Sequence, residues 1–241
     1  MQLFFQADIK GPSFDLSPEE SRHMAKALRK KIGDLVHFTD GKGSLFVCKI
    51  DTINPKNVQL SIVEREFQPI PPYYIHLAVA PTKNLDRMEW MIEKITEIGI
   101  QEVSFLRTVN SERGILKLDR LEKKMISACK QSYKTHLPKV NEMRDYEEFV
   151  SDLEFQTFQK FIAYVDEDNS VHLAEQAVQD NSYLVLIGPE GDFAPKEIDL
   201  AIKHQFSPCS LGQSRLRTET AGIVAVHTLN LIHEKHVPKV Q

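Results

Sequence analysis

The pattern of hydrophobic and polar positions changes once along the chain, near residue 70. In the first part, short apolar runs predict strands over residues 35–38, 45–50 and 58–64. A helix is predicted from Pro18 to about residue 31, because Ser17 can cap its first turn and proline suits that turn. Short strands with one helix predict a small β-barrel, which we assign to residues 1–70.

After the proline-rich segment 69–72, strands and helices alternate, which predicts a mainly parallel sheet covered by helices. The predicted strands cover residues 74–80, 103–107, 161–165, 183–187 and 209–211. The predicted helices cover residues 86–99 (capped by Asp86), 119–133, 146–153, 171–178, 195–204 and 218–235. The last helix is apolar nearly all round, so we expect it in a core or an interface. Residues 73–241 are assigned to a second, α/β domain.

Composition is that of an ordinary globular chain. Of its 241 residues, 41% are hydrophobic and 27% charged. No apolar run approaches the roughly 18–20 residues of a membrane span, and the first residues lack the features of a signal peptide. The three cysteines, Cys48, Cys129 and Cys209, are far apart, which argues against a disulfide framework or a zinc knuckle. We therefore expect a cytoplasmic protein without a metal or a membrane partner.

Charge is distributed unevenly, although the net charge is only −4. Residues 1–139 contain 22 Lys/Arg and 17 Asp/Glu, whereas residues 140–241 contain 8 and 17. Basic residues cluster in residues 22–31 and 107–139. Because salt screens charges beyond a Debye length of about 8 Å, a polyanion responds to the local cluster of charge rather than to the net charge of the whole chain. The two clusters are compatible with a nucleic-acid surface and equally with solvated helix faces.

The common phosphate loops, zinc-protease motifs and nucleophile elbows are absent from the sequence. Two other loops remain as candidates for a ligand-binding site. Residues 188–191 (GPEG) follow the most apolar strand, and residues 211–221 (LGQSRLRTETA) follow the next one. Ligands bind at the carboxyl ends of strands in open α/β sheets, and glycine lets a ligand approach the backbone. From the residues alone, the alternatives remain open: the two loops could form a ligand site, or they could be a plain turn and an ordinary helix start.

Several segments, in order along nearly the whole chain, resemble the RsmE family, the 16S rRNA uracil-N3 methyltransferases of the SPOUT superfamily. They are residues 23–29 (HMAKALR), 82–83 (TK), 87–89 (RME), 93–99 (EKITEIG), 188–191 and 211–221. The GPEG segment alone is weak, but its combination with LRTETA and the EKITEIG helix is highly specific. Two positions depart from the family pattern: Asp192 replaces a glycine, and Lys134 replaces an arginine.

The resemblance implies an α/β protein with an N-terminal PUA-like, RNA-binding β-barrel and a C-terminal SPOUT domain with a deep trefoil knot. It implies a homodimer that acts on 16S rRNA of the small ribosomal subunit with S-adenosylmethionine (SAM) as cofactor. The implied SAM-binding residues are Gly188, Pro189, Glu190, Gly191, Leu211, Gly212, Leu216, Thr218, Thr220 and Ala221.

Methylation at uracil N3 requires removal of a proton, so a base or a stabilising cation is expected. The candidate base is Glu219, with Glu190 as a second candidate, although an acid such as Glu219 also suits a helix start. Arg215 and Arg217 are candidates for stabilising the uracil anion. Because N3 lies on the Watson–Crick edge, we expect the target base to be flipped out. The residues predicted to contact RNA are Arg22, His23, Lys26, Arg29, Lys30, Lys83, Arg87, Lys123, Lys124, Lys130 and Lys134.

Two alternatives remain open. One is a SPOUT methyltransferase of another RNA, for example one that methylates a 2′-hydroxyl of tRNA. The other is an RNA-binding ribosome assembly factor without catalytic activity.

Overall fold

The chain forms two compact units in a computed structural model that describes residues 2–112, 116–165 and 171–234. The first unit comprises Met1–Ile70 together with Cys129–Leu137, and the second comprises Pro71–Ala128 and Pro138–Gln241. Nothing in the hydrophobic periodicity signals that Cys129–Leu137 packs with the first unit.

The first unit contains a five-stranded sheet in the order β1-β3-β4-β5-β2. Strand β1 runs parallel to β3, and the other pairs are antiparallel. The strands are β1 (Leu3–Phe5), β2 (Ser13–Asp15), β3 (Leu35–Thr39), β4 (Ser44–Ile53) and β5 (Val58–Phe67). The two shortest strands, β1 and β2, were not predicted. A hairpin turn joins β3 and β4, with Gly41 and Gly43 at φ of +72° and +101°.

Helix α1 (Pro18–Arg22) starts as predicted, because the Ser17 hydroxyl accepts a hydrogen bond from the backbone N–H of Glu20 at 3.3 Å. It continues as a wider π-helical turn over His23–Ala27. The hydrophobic core of this unit lies between the helix and the sheet and includes Met24, Phe38 and Leu60.

Residues 129–137 add to the turn between β3 and β4. The N–H of Gly43 donates to the carbonyl of Thr135 at 3.0 Å, and the N–H of Leu137 donates to the carbonyl of Gly41 at 2.9 Å. The hydroxyl of Thr39 also donates to the carbonyl of Thr135, at 3.1 Å. These bonds, between residues far apart in sequence, make the segment part of the first unit.

The second unit contains a six-stranded sheet in the order β11-β9-β10-β6-β7-β8, and every pair is parallel. The strands are β6 (Tyr74–Val79), β7 (Glu102–Arg107), β8 (Lys139–Asp145), β9 (Gln159–Ala163), β10 (Ser182–Ile187) and β11 (Ser207–Cys209). The predicted parallel sheet is therefore confirmed. Strand β8 was missed because it is a charged edge strand whose residues are half-buried or exposed.

Six helices accompany this sheet in the described residues: α2 (Leu85–Ile98), α3 (Leu118–Ser132), α4 (Tyr146–Val150), α5 (Leu173–Gln176), α6 (Pro195–Lys203) and α7 (Thr218–Glu234). Helix α2 ends at Gly99 as predicted, but the predicted cap Asp86 is wrong. The cap is Asn84, whose side chain accepts from the N–H of Asp86 at 2.9 Å. Helix α5 is shorter than the predicted 171–178. The predicted end of the last helix at Lys235 lies outside the described residues.

Helix α7 packs against α2, and Ala225, Val226 and Leu229 are fully buried. Leu231, by contrast, keeps 39% of its surface exposed. The nearly all-round apolar character of this helix is thus only partly accounted for by the core. Within the described ranges, no helix is long and apolar enough to cross a bilayer, and no cluster of His, Cys, Asp and Glu has the geometry of a metal site.

Candidate active site

A cavity of about 450 Å³ opens where β9, β10 and β11 end. Each strand contributes its last residue to the cavity wall, namely Ala163, Ile187 and Cys209. The loop that follows each strand contributes the next residues, and the first turn of α7 completes the wall with Thr218 and Ala221. The cavity therefore lies at the sheet edge where the two singled-out loops were expected to bind a ligand.

Most of the predicted cofactor residues line this cavity. They are Gly188, Pro189, Glu190, Leu211, Gly212, Leu216, Thr218 and Ala221. Gly191 and Thr220 are neighbours of these residues in the chain but do not belong to the wall that the described residues form. Sequence reasoning missed Ala163, Tyr164, Val165, His172, Ile187, Asp192, Cys209, Ser210, Gln213 and Ser214. Ala163, Tyr164 and Val165 could have been predicted, because residues 161–165 were assigned to a strand of the same sheet.

The GPEG loop is held in a defined shape. Its turn closes with a hydrogen bond from the N–H of Asp192 to the carbonyl of Pro189 at 3.0 Å. The hydroxyl of Thr218, in the first turn of α7, donates to the carbonyl of Gly188 at 3.0 Å. Thr218 is the first residue of α7, and this hydrogen bond ties the two loops together.

The backbone conformation at Asp192 explains why an aspartate can replace the glycine of the family pattern. Its backbone has a φ of +61°, in the left-handed region that favours glycine. Aspartate is among the few other residues that adopt this conformation at small cost. Substitution of glycine by aspartate therefore preserves the shape of the turn.

The second loop presents open backbone to the cavity. Gly212 has a φ of +122°, and a Cβ atom there would meet nothing within 4 Å. Its N–H donates to the hydroxyl of Ser210 at 3.1 Å, which fixes the start of the loop. A ligand in the cavity can therefore approach the backbone of this loop closely.

The three predicted catalytic residues lie in different places. Arg215 is exposed and lines the cavity, whereas Arg217 is exposed and does not. Glu219 does not line the cavity either, and it is only 5% exposed. Its Oε1 atom is 3.7 Å from Nε of Arg87, which was predicted to contact RNA. Its Oε2 atom is buried without a hydrogen-bond partner in the part of the chain that the structure describes.

The predicted RNA-contacting residues belong to both units. In the first unit, Arg22, His23, Lys26 and Arg29 are exposed and Lys30 is half-buried. Lys130 and Lys134 belong to the same unit and are half-buried, and Nζ of Lys130 is 3.4 Å from Oε1 of Glu20.

In the second unit, Lys83 and Lys123 are exposed, while Arg87 and Lys124 are half-buried. Nζ of Lys83 is 3.3 Å from a carboxylate oxygen of Glu112, and Nζ of Lys124 is 2.8 Å from one of Glu93. Side-chain hydrogen bonding to Glu93 raises the pKa of Lys124. Acidic neighbours therefore partly neutralise some of the predicted phosphate contacts.

A second, polar cavity of about 280 Å³ lies near the amino ends of β6, β7 and β8. Nε2 of His76 is 2.8 Å from Oγ of Ser104, and both residues are 1% exposed. Burial lowers the pKa of His76 to about 4. Burial alone would raise the pKa of Glu102, but the electrostatic interaction with His76 and hydrogen bonds from Lys139, Tyr74 and Asn141 lower it. This network stabilises the sheet at the edge away from the first cavity.

Comparison with protein-family models shows two matches. Residues 69–230 match a model described as an RNA methyltransferase domain. Residues 16–63 match a model described as an RNA methyltransferase PUA domain.

Several proteins are similar over nearly the whole chain. The crystal structure of a probable rRNA-methyltransferase from Porphyromonas gingivalis is 39% identical, with a TM-score of 0.92, over 98% of this chain and 100% of that one. A putative methyltransferase from Legionella pneumophila, solved in complex with the bound cofactor SAM, is 29% identical with a TM-score of 0.84 and 95% and 96% coverage. Ribosomal RNA small subunit methyltransferase E from Bacillus subtilis (strain 168) is 23% identical, with 95% and 94% coverage.

Proposed function

The chain belongs to the RNA methyltransferase family whose model it matches over residues 69–230, and from this premise we propose that it is a SAM-dependent 16S rRNA (uracil-N3) methyltransferase. Relatives named ribosomal RNA small subunit methyltransferase E, which match along almost their whole length, support the rRNA substrate. The observation that carries the proposal is the 450 Å³ cavity built from the two loops with the family's motifs.

The residues of this cavity fit SAM. The volume lies within the range of small-ligand pockets, and the wall combines apolar side chains with a few polar groups. Gly212 offers backbone that no side chain covers, which suits recognition of an adenine edge by main-chain N–H and C=O groups. We propose that Gly188, Leu211, Gly212 and Leu216 hold the cofactor, supported by the other predicted residues of the cavity wall, which are Pro189, Glu190, Thr218 and Ala221.

SAM, when bound, supplies the methyl group. The chain must position uracil N3 and accept its proton as the N3–H bond gives way to an N3–carbon bond. We propose that the carboxylate of Glu219 takes this proton, because Oε2 has no hydrogen-bond partner among the described residues. Arg215, at the cavity wall, and Arg217 stabilise the negative charge that the uracil develops.

The first unit is proposed to bind RNA as a PUA-like β-barrel. The family-model match over residues 16–63 and the exposed cluster Arg22, Lys26 and Arg29 support this role. Phosphate contacts from such residues fix the register of the RNA rather than read its sequence. Acting on ribosomal RNA would place the protein in the cytoplasm.

Two architectural features are also proposed. The first is a trefoil knot formed by the two loops, which the resemblance to the SPOUT superfamily supports. The second is a homodimer in which helix α7 lies at the interface. Exposed apolar residues on the packed pair of helices support it: Trp90 on α2 is 46% exposed and Leu231 on α7 is 39% exposed.

The proposal is tested by incubating the purified protein with methyl-labelled SAM and, in separate reactions, 16S rRNA, small ribosomal subunits or tRNA, followed by nucleoside analysis. We expect label in N3-methyluridine of 16S rRNA. Label in a ribose 2′-O-methyl group of tRNA would favour the alternative SPOUT reaction. Absence of SAM binding in calorimetry would favour an assembly factor without catalytic activity.

A further inference from the structure

The carboxylate of Asp192 bridges two loops of the candidate cofactor cavity. Its Oδ2 atom accepts a hydrogen bond from the N–H of Val165 at 3.0 Å, in the loop after β9. Its Oδ1 atom accepts from the N–H of Phe193 at 2.8 Å, in the loop after β10. Hydrogen bonds to an ionised carboxylate are stronger than those between neutral groups.

Both bridged loops form the wall of the cavity. Tyr164 and Val165 line it on one side, and Gly188, Pro189 and Asp192 on the other. The Val165 side chain is 70% exposed, so burial of apolar surface does little to hold this residue. The hydrogen bond to Asp192 therefore holds the backbone of Val165 against the GPEG loop.

The rest of the GPEG loop has its own supports. The N–H of Asp192 closes the turn on Pro189. The side-chain amide of Asn110 donates to the carbonyls of Gly191 and Asp192, at 3.2 and 3.0 Å. Removal of the Asp192 carboxylate should thus leave the turn intact, while the N–H groups of Val165 and Phe193 lose their acceptor.

We propose that Asp192 is a positioning residue that sets the width of the SAM cavity by tying Tyr164 and Val165, which follow β9, to the GPEG loop. This inference rests on the proposed function, which identifies the ligand as SAM. A glycine at residue 192 would fit the φ of +61° but would provide no such bridge. The aspartate therefore provides a bridge to Val165 at a position where the backbone conformation favours glycine.

The test compares Asp192→Gly and Asp192→Asn with the wild type. Asp192→Gly removes both bonds and suits the backbone, while Asp192→Asn keeps the shape but places an amide donor opposite a backbone donor. Asp180→Gly is the matched control, because Asp180 also has a positive φ, of +51°, and does not line the cavity. The measurements are the Kd of SAM and of S-adenosylhomocysteine by calorimetry, the Tm, and hydrogen exchange at the Val165 amide.

We expect Asp192→Gly to weaken the binding of both ligands by roughly tenfold and to speed exchange at Val165, with the Tm nearly unchanged. Asp192→Asn should show the same effects in smaller measure, and Asp180→Gly should bind as the wild type does. In turnover, KM for SAM should rise while kcat at saturating SAM stays within about threefold of the wild type, because Asp192 fixes a wall rather than the reacting atoms.

Wild-type affinity in both Asp192 variants would overturn the proposal, and so would an equal loss of affinity in Asp180→Gly. A wild-type protein that binds no SAM would overturn the proposed function itself, and the inference with it. The two failures are distinguishable because the wild type is measured first.

Discussion

Arg87 and Glu219 form a half-buried pair in which only one carboxylate oxygen is engaged. Nε of Arg87 lies 3.7 Å from Oε1 of Glu219, and Oε2 has no hydrogen-bond partner in the described ranges. A buried acceptor without a donor costs free energy, so such an atom in a folded protein calls for an explanation. In the proposed function, this acceptor would receive the proton from N3 of the target uracil.

Substitution Glu219→Gln should slow methyl transfer at least 100-fold in single-turnover experiments, because an amide cannot accept the proton. The Kd of SAM should stay within twofold of the wild type, since Glu219 is not part of the cavity wall. Glu190→Gln is the control, because Glu190 lines the cavity and accepts from the N–H of Lys83 at 3.3 Å. Normal single-turnover rates in Glu219→Gln would exclude Glu219 as the base, and a slow Glu190→Gln would assign that role to Glu190.

Thr218→Val should weaken SAM binding several-fold and destabilise the protein by about 1–2 kcal/mol. The change removes the hydroxyl that donates to the carbonyl of Gly188 at 3.0 Å and leaves that carbonyl without this bond. Calorimetry with SAM and urea unfolding measure the two effects. The matched control is Thr220→Val, in the same turn of α7 but outside the cavity wall. Equal behaviour of the two variants would show that the bond to Gly188 has no special role.

The stability of the protein should fall as the pH is lowered from about 6.5 to about 4, in part because of His76. The folded protein holds His76 neutral down to a pKa of about 4, since burial disfavours the charged form, whereas the unfolded chain binds the proton near the ordinary pKa of 6.5. The contribution of His76 to the free energy of unfolding, roughly 3 kcal/mol, is fully present above pH 6.5 and is lost as the pH falls from 6.5 to about 4.

Urea unfolding at several pH values measures this effect, and His76→Gln should flatten the curve between pH 6.5 and 4. His227→Gln serves as the control, because His227 is exposed on α7. An unchanged slope in His76→Gln would contradict the assignment of the window to His76.

The triple variant Arg22→Ala, Lys26→Ala and Arg29→Ala should weaken RNA binding and flatten its salt dependence. Removal of each side chain that binds a phosphate should reduce the slope of log K against log salt by roughly 0.7–0.9. Lys203→Ala, an exposed lysine on α6, is the matched control. Lys124→Ala should matter less than Lys123→Ala, because Glu93 already neutralises Lys124. A wild-type slope in the triple variant would remove this cluster from the RNA-binding surface.

Local signals in the sequence predicted much of the fold. Three features depend only on neighbouring residues and could therefore be predicted from the sequence. They are the Ser17 cap, the end of α2 at Gly99 and the buried strand β10. The cavity lies at the carboxyl ends of strands, where the two loops were singled out, because alternating strands and helices already place the loops after parallel strands at one edge of the sheet.

Long-range contacts were not predictable in this way. Thr135 pairs with Gly43, about 90 residues away, and no local pattern records this pairing. Likewise, the contact of Asp192 with Val165 joins two loops that are 27 residues apart in the chain and that the sheet brings together. Strand β8 escaped detection because its charged residues lack the alternation of a half-buried strand.

Nucleoside mapping of ribosomal RNA from a strain that lacks this gene tests the central claim most directly. We predict that its 16S rRNA loses the N3-methyl group of one uridine and that the wild-type gene restores it, whereas the Glu219→Gln gene does not. An unchanged set of methylated nucleotides in 16S rRNA, or a methyl group missing from tRNA instead, would contradict the assignment.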